Sequence, residues 1–243
     1  MGEFAYPGTE LELFAEARNW KRYWRDLIAP YLHGSVLEVG AGIGANTAVL
    51  VPRHMGAWTC LEPDTALLEQ ARRRLTAAGI ADRCVLESGT VRTLAPTETF
   101  ESILYLDVLE HIADDRLELA DAARHLTGGG RIVVLAPAHQ ALFTDFDHVI
   151  GHQRRYDRRS LAAIAPPELR CERLFYVDSV GMCASLANRM WLHQRMPSRR
   201  QIRTWDRVMV PLSRIVDPLL LRRVGKSIVG VWRASVAHTA VKC

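Results

Sequence analysis

No run of 18 apolar residues occurs in the chain, which excludes a membrane-spanning helix as its organising element. Cysteine is scarce. The five residues Cys60, Cys84, Cys171, Cys183 and Cys243 are scattered, odd in number and without a CxxC pair. That pattern argues against a disulfide framework and a structural zinc site, so a reducing cytoplasmic setting is expected. The opening stretch MGEFAYPGTELELF has neither a basic region nor an apolar core of signal-peptide type, and no signal peptide is expected. Lysine is nearly absent among the 31 cations, which are almost all arginine. Arginine grips phosphate or carboxylate with two parallel donors, although codon usage also favours it in some genomes. Internal repeats and low-complexity segments are missing.

What remains is a chain of 243 residues, 49% hydrophobic, enough for one well-cored domain with an elaboration. Its net charge of +4 is unevenly spread. Residues 1–149 hold 13 Lys+Arg against 21 Asp+Glu, a balance of −8, and residues 150–243 hold 18 against 6, a balance of +12. A basic C-terminal half points to an anionic substrate, a membrane surface or nucleic acid, or else to a plain solvated face.

The pattern along the chain predicts an α/β fold. Residues 9–33 read as an amphipathic helix. SVLEVG, AWTCLE, RCVLES, FESILYLDV and RIVVLAPA read as five strands. DTALLEQARRRLTAAG and DDRLELADAARHLTGGG read as the helices between them, each with an acidic start and a glycine stop. Alternation at this spacing means a parallel sheet covered on both faces. RRSLAAIAP reads as a short helix, LRCERLFYVDS as a sixth strand and KSIVGVWRAS as a seventh. About fifty mostly helical residues separate the last two. The expected architecture is Rossmann-like: a seven-stranded, mostly parallel sheet with helices on both faces and a helical insertion between strands six and seven. Residues 1–34 form a helical cap, 35–178 the core with a lid loop at 138–158, and 179–243 the insertion and final strand.

VLEVGAGIGANT sets Glu38, Gly40, Gly42 and Gly44 at a strand-to-helix turn, where glycine lets backbone approach a ligand closely. Gly40, Gly42 and Ala45 also satisfy the GxGxxG/A dinucleotide pattern. Glu62 lies about twenty residues on, placed to accept hydrogen bonds from ribose hydroxyls. A nicotinamide dinucleotide and S-adenosyl-L-methionine both satisfy this arrangement. Glu38 tips the balance, because a carboxylate before the glycines suits an ammonium and a sulfonium and repels a pyrophosphate.

Together these residues resemble the class I S-adenosylmethionine-dependent methyltransferases. VLEVGAGIGANT resembles their first motif, CLEPD the second, ILYLDVLEHI the fourth strand and its turn, and LTGGGRIVVLAPA the fifth strand. The resemblance covers about residues 15–165. VLEHIADD, APAHQALFTDFDHVIGHQRRY, QIRTWDRVMVPLSRIVDPLL and VGKSIVGVWR are similar to a bacterial group within the type 11/12 methyltransferases. The resemblance implies that Glu38, Gly40, Gly42 and Gly44 line the methionine side of the cofactor and that Glu62 and Pro63 hold ribose and adenine. It places Thr90 and Val91 at the adenine border, where SGT replaces the commoner acidic residue. Leu106 and Asp107 fall beneath the methyl donor, and Trp20, after Asn19, covers the cofactor from the N-terminal helix.

In such a sheet the segment after strand five overlies the ligand-binding edge. TDFDHVIGHQRRYD, residues 144–157, is therefore expected to cover an acceptor. A methyl acceptor that must lose a proton benefits from a nearby base, and histidine suits that role near neutral pH. The candidates are His111, His139, His148 and His152, with His152 favoured by the constrained turn at Gly151. Arg154, Arg155 and Tyr156 are the candidate substrate contacts. Neighbouring arginines cannot both face one ligand, so one is expected to clamp an acidic group and the other to brace the loop; Tyr156 alternatively anchors the loop by its ring. In some quinone-type methyltransferases an acid–acid–histidine trio, here Asp107, Glu110 and His111, binds a divalent metal. The spacing is unspecific and no metal is expected.

The insertion carries apolar rows around Met182, Leu186, Met190 and Trp191, and around Trp205, Val208, Leu212, Ile215 and Leu219. It reads as a cover for a hydrophobic acceptor, as a membrane-facing surface with Arg195, Arg199, Arg200, Arg203 and Arg207, or as packing against the sheet or a dimer partner. Nucleic acid is not an expected partner, since no stacking module and no NPPY-type motif is present. The expectation is a methyltransferase acting on a small-molecule or lipid-linked acceptor, most plausibly at oxygen and in secondary-metabolite or glycan-related biosynthesis. A nicotinamide-dependent oxidoreductase and a non-catalytic binding module are the alternatives.

Overall fold

The computed structural model describes residues 6, 10–187 and 197–235. Two short helices open the chain, α1 (Leu11–Ala15) and α2 (Arg18–Ile28), where the sequence reads as one. Ala17, at the N-terminal end of α2, has backbone torsions outside the helical range (ψ 73°), which breaks the run. The apolar side of α2 buries Trp20, Tyr23, Trp24 and Ile28.

Alternation of strand and helix then follows: β1 (Val36–Val39), α3 (Thr47–Leu50), β2 (Trp58–Glu62), α4 (Thr65–Ala77), β3 (Cys84–Ser88), β4 (Phe100–Leu106), α5 (Asp115–Arg124) and β5 (Leu126–Pro137). Asp64 caps α4 by accepting from the backbone N–H of Ala66 and Leu67 at 2.8 and 3.1 Å. The glycines at 128–130 do not close α5 from outside. They belong to β5, whose register against β4 shifts between Phe100 and Ser102. The chain continues through α6 (Asp145–Val149), α7 (Arg158–Ile164), β6 (Leu169–Val177), α8 (Ser179–Ala187), α9 (Arg199–Thr204), a π-helical turn (Trp205–Met209), α10 (Val210–Leu219) and β7 (Ser227–Ala234).

The seven strands lie in the order β3-β2-β1-β4-β5-β7-β6. β1 to β5 are mutually parallel, and β7 runs antiparallel to both β5 and β6. Order reverses between β1 and β4, so the loops after those strands diverge and open a crevice at the C-terminal edge. Because β7 is reversed, its first residue meets the last of β5, with Ser227 opposite Pro137. The segment entering β7 therefore joins the crevice. Two apolar cores, one on each face, hold the sheet between helical layers.

Between β6 and β7, Ile202, Trp205 and Val210 are buried, whereas Val208, Leu212, Ile215 and Leu219 face outward at helical spacing. Arg199 and Arg203 do not project freely; both pair with Glu16, at 3.5 and 3.1 Å. Met190, Trp191, Arg195 and Cys243 lie outside the described residues. No helix among the described residues is long and apolar enough to cross a membrane.

Candidate active site

A cavity of about 570 Å³ opens at the C-terminal edge of the sheet, within the size range of small-molecule sites. Its floor is the turn after β1. Gly40 and Gly42 there hold φ of +66° and +54°, a left-handed conformation that costs glycine little. A Cβ on Gly40 would lie 2.7 Å from a Val108 methyl, so the turn could not keep this path with a side chain. Gly44, at φ +70°, lies outside the cavity; a Cβ there would press on Ala71 of α4 at 3.1 Å. The sequence places it with the cofactor; the structure places it against α4, off the cavity wall.

Glu62, at the end of β2, faces the cavity and organises the turn. Its two carboxylate oxygens accept from the Gly42 and Asp64 backbone N–H at 2.8 and 3.0 Å. Pro63, Thr90, Leu106, Asp107 and Trp20, all candidates from the sequence, also line the cavity, together with Gly89. Val91 does not; it is fully buried beneath, in the second core. Asp107 adopts φ +58°, a conformation uncommon for a residue with a side chain. Enclosure pushes its carboxyl up against the pull of His152, Lys21, Lys226 and Arg155.

Glu38 departs from its expected role. It is 1% exposed and absent from the cavity wall, where its carboxylate accepts from Thr47 Oγ1 at 2.8 Å and Trp58 Nε1 at 2.9 Å. Burial pushes its carboxyl up to about 7. A folded-state value above the unfolded one stabilises the protein below the unfolded pKa, and that contribution is lost as pH rises through the folded one. Wild type should therefore lose stability relative to Glu38→Gln between about pH 4.5 and 7, by roughly 2–3 kcal/mol in all. Denaturant unfolding of both proteins at pH 4.5 and 8 checks this, and a constant difference would show that Glu38 titrates as an ordinary carboxyl.

The segment after β5 forms the opposite wall, and it is latched. Asp147, wholly buried in α6, accepts from the Thr144 backbone N–H and Oγ1, from His152 Nδ1 at 2.8 Å, and from Arg155 Nε and Nη2 at 2.8 and 2.9 Å. These donors hold its carboxyl far below the usual carboxylate range, against the effect of burial. His152 and Arg155 line the cavity, with Phe146 and Ile150 of the same segment. Arg154 does not. It pairs with Asp115 at 2.7 Å and donates to the Ala113 carbonyl. Tyr156 is buried as well, its hydroxyl reaching Asp115 Oδ2 at 2.6 Å and the Leu109 carbonyl at 3.1 Å. The two arginines thus divide as adjacent residues must: Arg154 and Tyr156 brace the loop, and Arg155 faces inward.

Two of the four candidate histidines reach the cavity. His111 lies beside His152 with ring centroids 4.6 Å apart, and burial, reinforced by His152, lowers its pKa to about 4. His139 instead stacks on Tyr176 at 4.8 Å, and burial lowers its pKa. His148 packs edge-on against Phe143. Both lie off the cavity wall, away from His111 and His152. Glu110 is fully buried, yet neither carboxylate oxygen has a hydrogen-bond partner; its pKa is pushed well up by burial and by Asp107. One oxygen lies 3.7 Å from His152 Nε2. Glu110, His111 and His152 each bring one ligand atom within 4.8 Å of the others, the one group among the described residues able to share a cation. His152, not Asp107, completes that group.

Sequence reasoning missed many further wall residues, among them Lys21, Trp205 and Lys226. Lys21 donates to Asn46 Oδ1 at 2.6 Å, and burial lowers its pKa to about 8. Lys21 and Lys226 are the two lysines of the described residues, and the rarity of lysine in an arginine-rich chain was the available signal.

A family model described as a methyltransferase domain matches residues 36–130. Demethylmenaquinone methyltransferase of Tropheryma whipplei (strain Twist) is 33% identical over 141 residues, which is 57% of this chain and 57% of that protein. The chain thus matches little more than half the length of this relative. Among solved structures, an S-adenosylmethionine-dependent methyltransferase from Clostridium acetobutylicum ATCC 824 superposes with a TM-score of 0.58 at 11% identity, covering 90% of this chain and 92% of the other. N-methyltransferase NodS from Bradyrhizobium japonicum WM9, in complex with S-adenosyl-L-homocysteine, gives 0.58 at 14% identity, covering 95% and 93%. At these identities the likeness is one of fold.

Proposed function

Because the chain belongs to the class I S-adenosylmethionine-dependent methyltransferases, we propose that it moves the methyl group of S-adenosylmethionine to an oxygen of a small-molecule or lipid-linked acceptor. One observation carries this reading: the Gly40–Gly42 turn with Glu62, and the Asp147–His152 pair, face one cavity from opposite sides. The walls fit the cofactor. Gly40 and Gly42 admit close backbone approach, Glu62 offers a carboxylate to ribose hydroxyls, and Lys21 offers a cation to a carboxylate. When bound, the cofactor supplies an electrophilic methyl carbon.

The chain's own residues supply alignment, dryness and a proton acceptor. Trp20, Phe14, Phe146 and Ile150 keep water from the cavity, and an enclosed site aligns nucleophile with methyl group. His152 Nδ1–H donates to Asp147, which leaves the Nε2 lone pair for the acceptor hydroxyl's proton. Asp147 stays ionised throughout and steadies the imidazolium that forms. His111, neutral at physiological pH, adds no positive charge against it.

Replacing His152 with glutamine should lower kcat by about 10²–10⁴, the usual worth of a positioned base, with cofactor affinity little changed. Unchanged turnover at saturating substrate would reduce His152 to a packing residue. A second reading rests on the Glu110–His111–His152 group, which would hold a divalent cation for the acceptor oxygen. Assay with and without a chelator separates the two, since a base needs no metal.

An acceptor borne in a membrane suits the outward row Val208, Leu212, Ile215 and Leu219 beside Arg207 and Arg214. Methyl-labelled S-adenosylmethionine, incubated with the protein and an extract of the source cells, tests the reaction. Label in the organic phase supports a lipid-linked acceptor, and label in the aqueous phase a polar metabolite. No label in any fraction would overturn the proposed transfer.

A further inference from the structure

The acceptor side of the cavity contains two cations, Lys226 and Arg155, with donors that no hydrogen bond among the described residues takes up, although Asp107 and Glu110 line the same cavity. Lys226 enters the wall because β7 runs antiparallel to β5, which brings the residue before β7 to the ligand edge. Its backbone is fixed on both sides: its carbonyl accepts from Ala138 N–H at 2.8 Å, and its N–H donates to the Asp178 carbonyl at 3.1 Å. Its Nζ sits 4.7 Å from the centroid of the Trp205 ring. No carboxylate or other acceptor among the described residues takes that ammonium. Three carboxylates act on it, of which Asp107 lines the same cavity and the other two are committed elsewhere. Asp178 accepts from Trp205 Nε1, Ser213 Oγ and the Gly181 N–H. Asp147 is filled by His152, Arg155 and Thr144.

Arg155 has the complementary shortage. Nε and Nη2 hold Asp147, while Nη1 is buried with no partner, on a side chain 8% exposed. A buried donor without an acceptor forfeits its hydration, which is the position of Arg155 Nη1. Lys226 is part-buried against Trp205; burial and Arg155 lower its pKa, while Asp178, Asp107 and Asp147 draw it back up. Two cations on one wall, each with donor capacity left over, suit an anionic ligand group.

Resting on the methyl-transfer reading above, we propose that Lys226 and the free edge of Arg155 form a subsite for an anionic group, carboxylate or phosphate, carried by the methyl acceptor. The subsite lies beyond β4, away from the glycine turn and Glu62. Arg155 is also tied to His152 through Asp147, so the anion is anchored by the same latch that orients the base. The acceptor is thereby defined by three features: an apolar body against Phe14 and Phe146, a hydroxyl near His152, and an anionic group at Lys226.

Calorimetric titration of the protein saturated with S-adenosylhomocysteine tests this. The probes are benzoate, phenyl phosphate and neutral benzamide, applied to wild type, Lys226→Met and Lys226→Arg. At least one anion should bind wild type tenfold more tightly than benzamide. Lys226→Met should lose that preference and Lys226→Arg should retain it. S-adenosylhomocysteine affinity should stay the same in all three proteins. Equal binding of anions and benzamide to wild type overturns the subsite without any variant. So does an anion preference that survives in Lys226→Met, or a loss of S-adenosylhomocysteine affinity in that variant, which would place Lys226 on the cofactor's own carboxylate. Failure of wild type to bind S-adenosylhomocysteine would instead strike the methyl-transfer reading. A further titration with dihexanoyl phosphatidate distinguishes the sources: tighter binding than phenyl phosphate makes the anion a lipid headgroup, and weaker binding a soluble metabolite's group.

Discussion

Replacing Glu62 with alanine is expected to weaken S-adenosylhomocysteine binding by about 10²–10⁴. Hydrogen bonds to a charged acceptor contribute roughly 1.5–3 kcal/mol each, and two ribose hydroxyls stand to lose them. A second loss comes from the protein itself. The same carboxylate accepts from the Gly42 and Asp64 backbone N–H, so its removal frees the glycine turn as well as the ligand. Glu62→Gln separates the effects, because an amide oxygen still accepts one bond but carries no charge. It should fall between wild type and Glu62→Ala. Calorimetric titration reads both variants, and circular dichroism confirms that the sheet is intact. Affinity within threefold of wild type in Glu62→Ala would remove Glu62 from the cofactor site.

Asp147→Asn is expected to cost about 3–5 kcal/mol of stability at neutral pH, the usual result of stranding one member of a buried ion pair. Asparagine has one acceptor oxygen where Asp147 serves five hydrogen bonds, and its amide would point donors at Arg155 or His152. A melting temperature lower by about 10 °C corresponds to this loss for a domain of this size. Acid reverses the comparison. The folded-state pKa of Asp147 is depressed, so its contribution is present above the unfolded value of about 4 and fades as pH falls toward the folded one. The gap between wild type and Asp147→Asn should therefore narrow below about pH 4. Thermal unfolding at pH 7 and pH 3 measures both. Equal melting temperatures at pH 7 would show that the latch bears no strain and that His152 is oriented by something else.

The cavity wall around the glycine turn was legible in the sequence because its residues are local. Gly40, Gly42, Glu62, Pro63, Thr90, Leu106 and Asp107 each sit at the end of a strand, and strand ends are read from short apolar runs and the glycines or acids that stop them. Where local reading failed, packing had taken the residue. Glu38 carries the right charge but turns to Thr47 and Trp58, Gly44 makes room for Ala71, and Val91 drops into the second core.

The acceptor half depended on partners distant in sequence. His111, His139, His148 and His152 are chemically alike, and only contacts sort them: a buried Asp147 for His152, Tyr176 for His139, Phe143 for His148. Arg154 and Arg155 were distinguishable in kind but not in direction, which Asp115 and Asp147 decide. Lys226 opened the segment that read simply as a seventh strand, and only the reversed direction of β7 brings it to the cavity edge. Periodicity and turn chemistry, which act over a few residues, thus determined the parallel α/β framework and its glycine turn. Strand direction, burial and the competition of buried donors for one carboxylate act across the whole chain, and they alone decided which polar side chains meet in the cavity.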